Sequence, residues 1–231
     1  MDDLFIYFVR HGQSVANERR VFQGGEAALT PLGMRQAQVL AERLQRVPAD
    51  IILSSPMPRA HDTAKAIQEL KQIPLEVCDL LREYVPPASL VDLPLESVEG
   101  QDYKREKKAH QFEEDWRYAE EESYLDMHHR ACDALTLLEH RSERRIIVVS
   151  HAGLIRVMLT AMLTERRPDI STVTRFARFL IPANTGISLC RFRPGERDRN
   201  AWRLIAWNDH AHIATTNLDA SHEDEVHDLY A

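Results

Sequence analysis

Hydrophobic residues fall along this chain in short unbroken runs, separated by longer segments in which they recur every three or four positions. "LFIYFV" (4–9), "DIILSS" (50–55) and "RRIIVVS" (144–150) are runs of β-formers with little polar alternation, the pattern of strands buried on both faces. "PLEVCDLLRE" (74–83) reads as a further strand running into a loop. "TPLGMRQAQVLAERLQRV" (30–47) repeats Leu32, Ala37, Leu40, Ala41 and Leu44 at helical spacing, behind Thr30 as N-cap and Pro31 in the first helical position. "PRAHDTAKAIQEL" (58–70), "MHHRACDALTLLEHR" (127–141) and "GLIRVMLTAML" (153–163) predict three more helices. "FARFLIPAN", "GISLCRF" and "WRLIAWND" predict three closing strands, and the tail after Asn208 is polar and expected to be irregular. Strands alternating with helices imply an α/β fold, a three-layer sandwich with a mostly parallel central sheet and helices on both faces.

Residues 84–125 break this rhythm. They open with Pro86-Pro87, include Pro94 and continue into the charged block "QDYKREKKAHQFEEDWRYAEEESY". The expectation is a single domain over 1–231 with a Pro-containing, helical insertion at about 84–125, either a lid over a site or a solvated helix.

Composition narrows the class without changing the fold. At 231 residues with 44% hydrophobic and 28% charged residues, the chain is an ordinary globular protein. A net charge of -7 argues against a nucleic-acid partner, and the arginines of "ERDRNAWR" read as solvated surface. Cys78, Cys132 and Cys190 are odd in number and form no CxxC, which favours a reducing compartment. With no signal-like start at "MDDLF" and no apolar run of membrane-spanning length, the expectation is a cytoplasmic protein without a membrane partner.

The chemistry lies where the buried runs stop. "FIYFVRHGQS" (5–14) ends in Arg10, His11 and Gly12, and "RIIVVSHAGLI" repeats the device with His151 and Gly153. In open α/β sheets the carboxyl ends of strands form the ligand crevice, so two such strands would bring two imidazoles together there. Arg59 lies just past the second strand and Glu83 ends the third strand segment. Guanidiniums and imidazoles around one point are costly unless an anion sits between them, and a phosphoryl group matches the arginine fork.

Taken in order, "VRHGQSVANERRVFQG", "LTPLGMRQA", "SSPMPRAHDTA", "LRE" and "VVSHAG" resemble the histidine phosphatase superfamily, also called phosphoglycerate mutase-like. "NTGIS" and "WNDHAHI" are similar to the family's closing strands. The resemblance implies that His11 is a nucleophile forming a phosphohistidine, that Arg10, Arg59 and His151 hold the phosphoryl oxygens, and that Glu83 is the proton donor. Ser14, Asn17, Gln23 and Gly24 would belong to the phosphate-binding loop, with turn capping as the other reading of Asn17. The family's commoner Gly-x-aromatic-Glu-Gly run is replaced here by "LREYVPPASLVDLPLESVEG", so Asp79, Asp92 and Glu96 stay open as alternative acids.

The expected activity is metal-independent hydrolysis of a small-molecule phosphomonoester, without a cofactor; a phosphorylated protein is the lesser substrate alternative, and oligomeric state is open. Phosphoglycerate mutase-type transfer ranks second, because Ala16 and Gly24-Gly25 stand where mutases of the family usually carry tryptophan before the asparagine and Gly-Trp after the loop. A non-catalytic phospho-ligand module is the third reading. His128-His129, His210, His212, His222 and His227 have no companion at ligand spacing, so no metal is expected.

Overall fold

A computed structural model of the chain describes residues 3–195, 201–214 and 216. Six strands form one sheet in the order β3-β2-β4-β1-β5-β6, with β1 Leu4–Arg10, β2 Ile51–Ser54, β3 Leu75–Val77, β4 Arg145–Ser150, β5 Ile187–Phe192 and β6 Trp202–Asp209. The first four pair in parallel and β5 and β6 add antiparallel, so the sheet is mixed and mostly parallel.

Strand side chains alternate between the two faces, and each face is sealed by its own helices. Ile6, Phe8, Leu53, Ile146 and Val148 pack against α5 (Tyr124–Glu139) and α6 (Ala152–Leu163). Val9, Ile52, Ile147 and Val149 pack against α2 (Pro31–Gln45) and α3 (Pro58–Lys71). This double cover explains why the central strands read as unbroken apolar runs.

One expectation needs correction. Residues 176–184, expected to be a strand, carry the end of helix α7 (Ile170–Phe179) and an irregular stretch after it. The Asp169 side chain accepts from Thr172 N–H at 3.0 Å, and Ile170, Val173 and Thr174 turn inward at helical spacing. Cap and periodicity override the β-prone composition of "FARFL". Within 74–83 the expected strand runs over Leu75–Val77 and passes into a 3₁₀ turn at Asp79–Leu81. The short helix α1 (Val15–Arg19) was not expected.

The 84–125 excursion contains one helix, α4 (Val98–Ala109), flanked by irregular segments. It is clamped to the loop after α1 by backbone bonds from Phe22 N to Leu93 O (3.0 Å) and Leu95 N to Arg20 O (3.1 Å). Phe22, Leu90, Leu95 and Tyr103 form a small satellite core beneath it. His222 and His227 lie outside the described residues. No helix among the described residues is long and apolar enough to cross a membrane.

The start of helix α2 packs against the turn after β1, where Thr30 N–H donates to Gln13 O at 3.0 Å. Thr30 caps it, with its Oγ accepting from Gly33 N–H at 2.9 Å. A Cβ on Gly33 would sit 2.0 Å from the carbonyl oxygen of Gln13. Backbone meets backbone at that contact, so no rotamer change relieves the clash. Gly33→Ala is therefore expected to lower stability by about 2–4 kcal/mol, read as a lower urea midpoint at unchanged slope.

Candidate active site

Parallel register creates the site. Arg10 of β1 lies opposite Ser150 of β4, and His11 N–H continues the ladder to Ser150 O at 3.1 Å. His11 and His151, one residue past each strand, therefore stand side by side with ring centroids 5.1 Å apart. Both are buried, at 3% and 0% exposure, beside Arg10 at 3% and Arg59 at 1%.

Each of these side chains is held by its neighbours. His11 Nδ1 lies 2.6 Å from Gly12 O. A carbonyl only accepts, so Nδ1 carries the proton and Nε2 keeps the lone pair. His151 Nε2 lies 2.8 Å from Ser55 Oγ, which accepts from Met57 N–H at 3.2 Å. The Ser55 hydroxyl can donate to Nε2 or accept from it, and the other ring nitrogen, Nδ1, is a buried atom with no partner. Arg10 Nη1 donates to Pro182 O at 2.6 Å. Arg59, on the first turn of α3, donates through Nη1 to Gly24 O (3.1 Å) and Gly25 O (3.3 Å), while its buried Nε has no partner.

The electrostatics follow from this packing. Burial first, then the Arg59 and Arg10 cations, hold the His11 imidazole well below its ordinary value of 6.5. His151 is held down by burial, Arg59, His11 and Arg10. Burial brings Arg59 down to about 10. Two neutral imidazoles beside buried guanidiniums make an electropositive hollow with N–H donors to spare, fitted to a multiply charged oxyanion.

Glu83 reaches the same place from the other side. Helix α6 begins at its N-cap His151 without a side-chain cap. Its orphan donors are taken instead by the Glu83 carboxylate, from Gly153 N–H at 2.8 Å and Leu154 N–H at 3.1 Å, with Tyr84 N–H at 3.1 Å as a third. Burial raises the carboxyl above its usual 4.5, although Gly153 N–H, Arg59, Arg156 and Arg130 oppose the shift. Desolvation wins, which favours a protonated acid.

The other expected residues sort differently. Ser14 and Asn17 form a capping box on α1, in which Asn17 N–H donates to Ser14 Oγ at 3.2 Å and Asn17 Oδ1 accepts from Ser14 N–H at 3.1 Å. Gln23 donates to the Ser14 hydroxyl, and Gly24 supplies the carbonyl that Arg59 binds. Of the alternative acids, Asp79 pairs with Arg82 at 3.6 Å and Glu96 with Lys104 at 3.1 Å, both on the surface. Asp92 lines a neighbouring cavity.

Sequence reading missed Ser55, Thr63 and Asn184. Thr63 Oγ accepts from Gly12 N–H at 3.1 Å, and Asn184 Nδ2 donates to His11 O at 3.0 Å. Ser55 had a usable signal, since it follows β2 as His11 follows β1. Among the described residues no group of three His, Cys, Asp or Glu side chains is placed to hold a metal ion.

Gly153 ties the acid to the helix. A Cβ there would sit 2.7 Å from Glu83 Oε1, the free end of a side chain. Gly153→Ala is expected to displace the carboxylate and, with the α6 cap loosened, to lower stability by about 1 kcal/mol. Any phosphoester turnover should then fall about 10- to 100-fold for an alkyl ester and less for an aryl ester, measured as kcat side by side.

The family model described as histidine phosphatase superfamily (branch 1) matches residues 6–210. A Yersinia pestis protein named "Probable phosphoglycerate mutase GpmB" is 27% identical over 218 residues, covering 94% of this chain and 98% of its own. A Hydrogenobacter thermophilus protein, provisionally named phosphoserine phosphatase 2, is 46% identical over 79 residues, which is 34% of this chain and only 39% of that protein. The structure of a mycobacterial glucosyl-3-phosphoglycerate phosphatase in complex with VO3 superposes with a TM-score of 0.73 at 25% identity, covering 89% of this chain and 99% of that one. Matched from its first strand to the end of its last, this chain belongs to the histidine phosphatase superfamily, branch 1.

Proposed function

We propose that this protein is a metal-independent phosphomonoesterase that works through a phosphohistidine on His11. The observation that carries the reading is the neutral His11 ring, its Nδ1 proton pinned on Gly12 O at 2.6 Å, lying against His151 and the buried Arg59. Nε2 of His11 attacks phosphorus and the ester P–O bond breaks. Glu83 gives its proton to the departing oxygen, so the leaving group exits as an alcohol. Water then attacks the phosphohistidine, Glu83 takes a proton from it, the P–N bond breaks and inorganic phosphate leaves. Arg10 and Arg59 offset the charge of the equatorial oxygens and the neutral His151 ring offers them an N–H, the main service a protein can render to this reaction.

A mutase is the second reading, favoured by the Yersinia relative named for it. It would differ only in the acceptor, a substrate hydroxyl in place of water. Chain-wide, we read residues 1–231 as one catalytic domain with 84–125 arranged over the site, and a small-molecule phosphate ester as the substrate.

Hydrolysis of an aryl phosphate with EDTA present is expected from the wild type, with His11→Ala lower by on the order of 10⁴-fold. Acid-labile, base-stable label on the wild type after brief exposure to labelled substrate should be absent from His11→Ala. An active His11→Ala protein would sink the mechanism, and phosphoryl transfer to added phosphoglycerate in preference to water would favour the mutase.

The pH profile tests the acid. Because the Glu83 carboxyl is raised above 4.5, its protonated form persists to higher pH and kcat for an alkyl ester falls as pH rises through that value. Because His11 is held well below 6.5, its protonation limits the rate only at lower pH. Glu83→Gln should remove the alkaline limb and cost about 10²–10⁴-fold with an alkyl ester, far less with a nitrophenyl ester. An unchanged profile in that variant would show that Glu83 is not the donor.

A further inference from the structure

Both chain neighbours of Glu83 are held by the far end of the 84–125 excursion. Tyr84 donates its backbone N–H to the Glu83 carboxylate at 3.1 Å and gives its hydroxyl to Glu121. Arg82 is bound through both terminal nitrogens to Glu122, at 2.9 Å and 3.0 Å. Consecutive carboxylates thus grip the residues on either side of a third. The two grips differ in kind. Glu121 sits among tyrosine hydroxyls and Lys107. Glu122 takes a second complete fork, from Arg130, whose Nε and Nη2 reach its oxygens at 2.9 Å and 2.7 Å.

Arg130 carries the grip to the backbone. Its side chain is 7% exposed, and its Nη1 donates to Leu80 O (3.1 Å) and Arg82 O (2.6 Å). The second of these is the carbonyl of the peptide that joins Arg82 to Glu83. Arg130 stands on the second turn of α5, and Glu122 directly precedes the N-cap of that helix, Ser123. A capping box fixes the entry, with Asp126 N–H donating to Ser123 Oγ at 3.1 Å and Ser123 N–H to Asp126 Oδ2 at 2.9 Å. Met127, Ala131 and Leu135 lock α5 to the sheet. A continuous path therefore runs from the core through α5, Arg130 and Glu122 to the segment that aims Glu83 at the start of α6.

Charge makes Glu122 more than a strut. The cations of Arg59, Arg156 and Arg130 favour the ionised form of Glu83, against the burial that favours the protonated one. Arg59 stands on α3, Arg130 on α5, and Arg156 on α6, whose N-cap is the neutral His151. On the α5 side, the guanidiniums of Arg130 and Arg82 meet the carboxylates of Glu122 and Asp79, the latter 3.6 Å from Arg82. We propose that Glu122 is a positioning residue for Glu83: it holds the backbone ahead of that acid through Arg130 and Arg82, and it neutralises the two cations seated there. The inference rests on the phosphatase reading of the neighbouring histidine pair. Without the Glu122 charge, Arg130 would act on Glu83 uncompensated and ionise it at lower pH.

The test pairs two variants of opposite sign. Glu122→Gln keeps the shape and removes the anion, whereas Arg82→Gln removes one cation and leaves Glu122 on Arg130. For an alkyl phosphate, Glu122→Gln is expected to bring the alkaline limb of kcat about one unit lower in pH, with neutral-pH kcat down roughly tenfold. In Arg82→Gln the limb should move to higher pH. Nitrophenyl phosphate, whose leaving group needs no proton, should lose about threefold at most in either variant. Glu122→Asp retains the charge and should restore the limb. A purely structural role would slow both esters together and leave the limb in place. That result, or limbs displaced the same way in both charge variants, would overturn the inference. Should Glu122→Gln fail to fold, Arg82→Gln, made at a side chain 33% exposed, still carries the sign of the test. Failure of the phosphatase reading is separable, since it would show as no hydrolysis of nitrophenyl phosphate by the wild type. Titration of the Glu83 carboxyl by carbon NMR, assigned by its absence from Glu83→Gln, then decides. A midpoint lowered in Glu122→Gln and raised in Arg82→Gln upholds the inference, and unmoved midpoints or shifts of one sign refute it.

Discussion

The pairing of β1 with β4 is the constraint from which the rest of this molecule follows. Two parallel strands in the middle of a sheet can end in step only if their register is fixed, and burial on both faces fixes it. Sliding either strand by one residue would turn Ile6 and Phe8, or Ile146 and Val148, from one sealed face to the other. With Arg10 opposite Ser150, the next residue of each chain is a histidine, and both leave the sheet at the same height. The imidazole pair is a consequence of strand packing far more than of any contact the rings make.

That placement is electrostatically expensive, and the structure shows how the cost is contained. Both rings are kept neutral by burial and by the guanidiniums beside them, so the hollow holds fewer buried cations than its composition suggests. Arg59 is anchored on backbone carbonyls, which leave it charged. Glu83 is the only expected acid drawn in, and it doubles as the cap that α6 lacks. One carboxyl group thus closes a helix end and, in the proposed mechanism, moves a proton. Its raised affinity for that proton comes from the same burial that makes it a good cap.

The central strands, α2, α3, α5 and α6 were legible because their patterns are simple: unbroken apolar runs for strands sealed on two faces, and a 3.6 period for helices with one. Legibility failed where local composition and tertiary demand disagree. "FARFL" looks like a strand, but Asp169 caps a helix ahead of it and the antiparallel edge is completed by β5 and β6. The catalytic candidates on strand ends, Arg10, His11 and His151, could be read because strand ends need no long-range knowledge. Ser55, Thr63 and Asn184 could not be assigned, because their roles depend on which distant backbone they meet. Ser14 and Asn17 show the reverse case, in which residues resembling a phosphate loop are engaged in capping a five-residue helix.

The excursion after Glu83 explains why specificity is harder to read than mechanism. Its charged block suggested a solvated helix, yet Lys107 and Glu121 from that block meet inside the protein, beneath the rings of Tyr84 and Tyr103. Tyr84 is the residue after Glu83, and its backbone N–H donates to the Glu83 carboxylate. The same tyrosine therefore joins Glu83, the proposed proton donor, to Glu121 in the wall of the adjoining cavity. A buried ion pair of this kind is a weak source of stability, because desolvating both charges offsets most of their attraction. Its position gives it another use: it ties α4 to the segment that follows it and to Tyr84. The histidine pair is set by the sheet. The adjoining cavity is walled by a segment tied to Glu83 through Tyr84 N–H and to the loop after α1 through backbone bonds at Phe22 and Arg20.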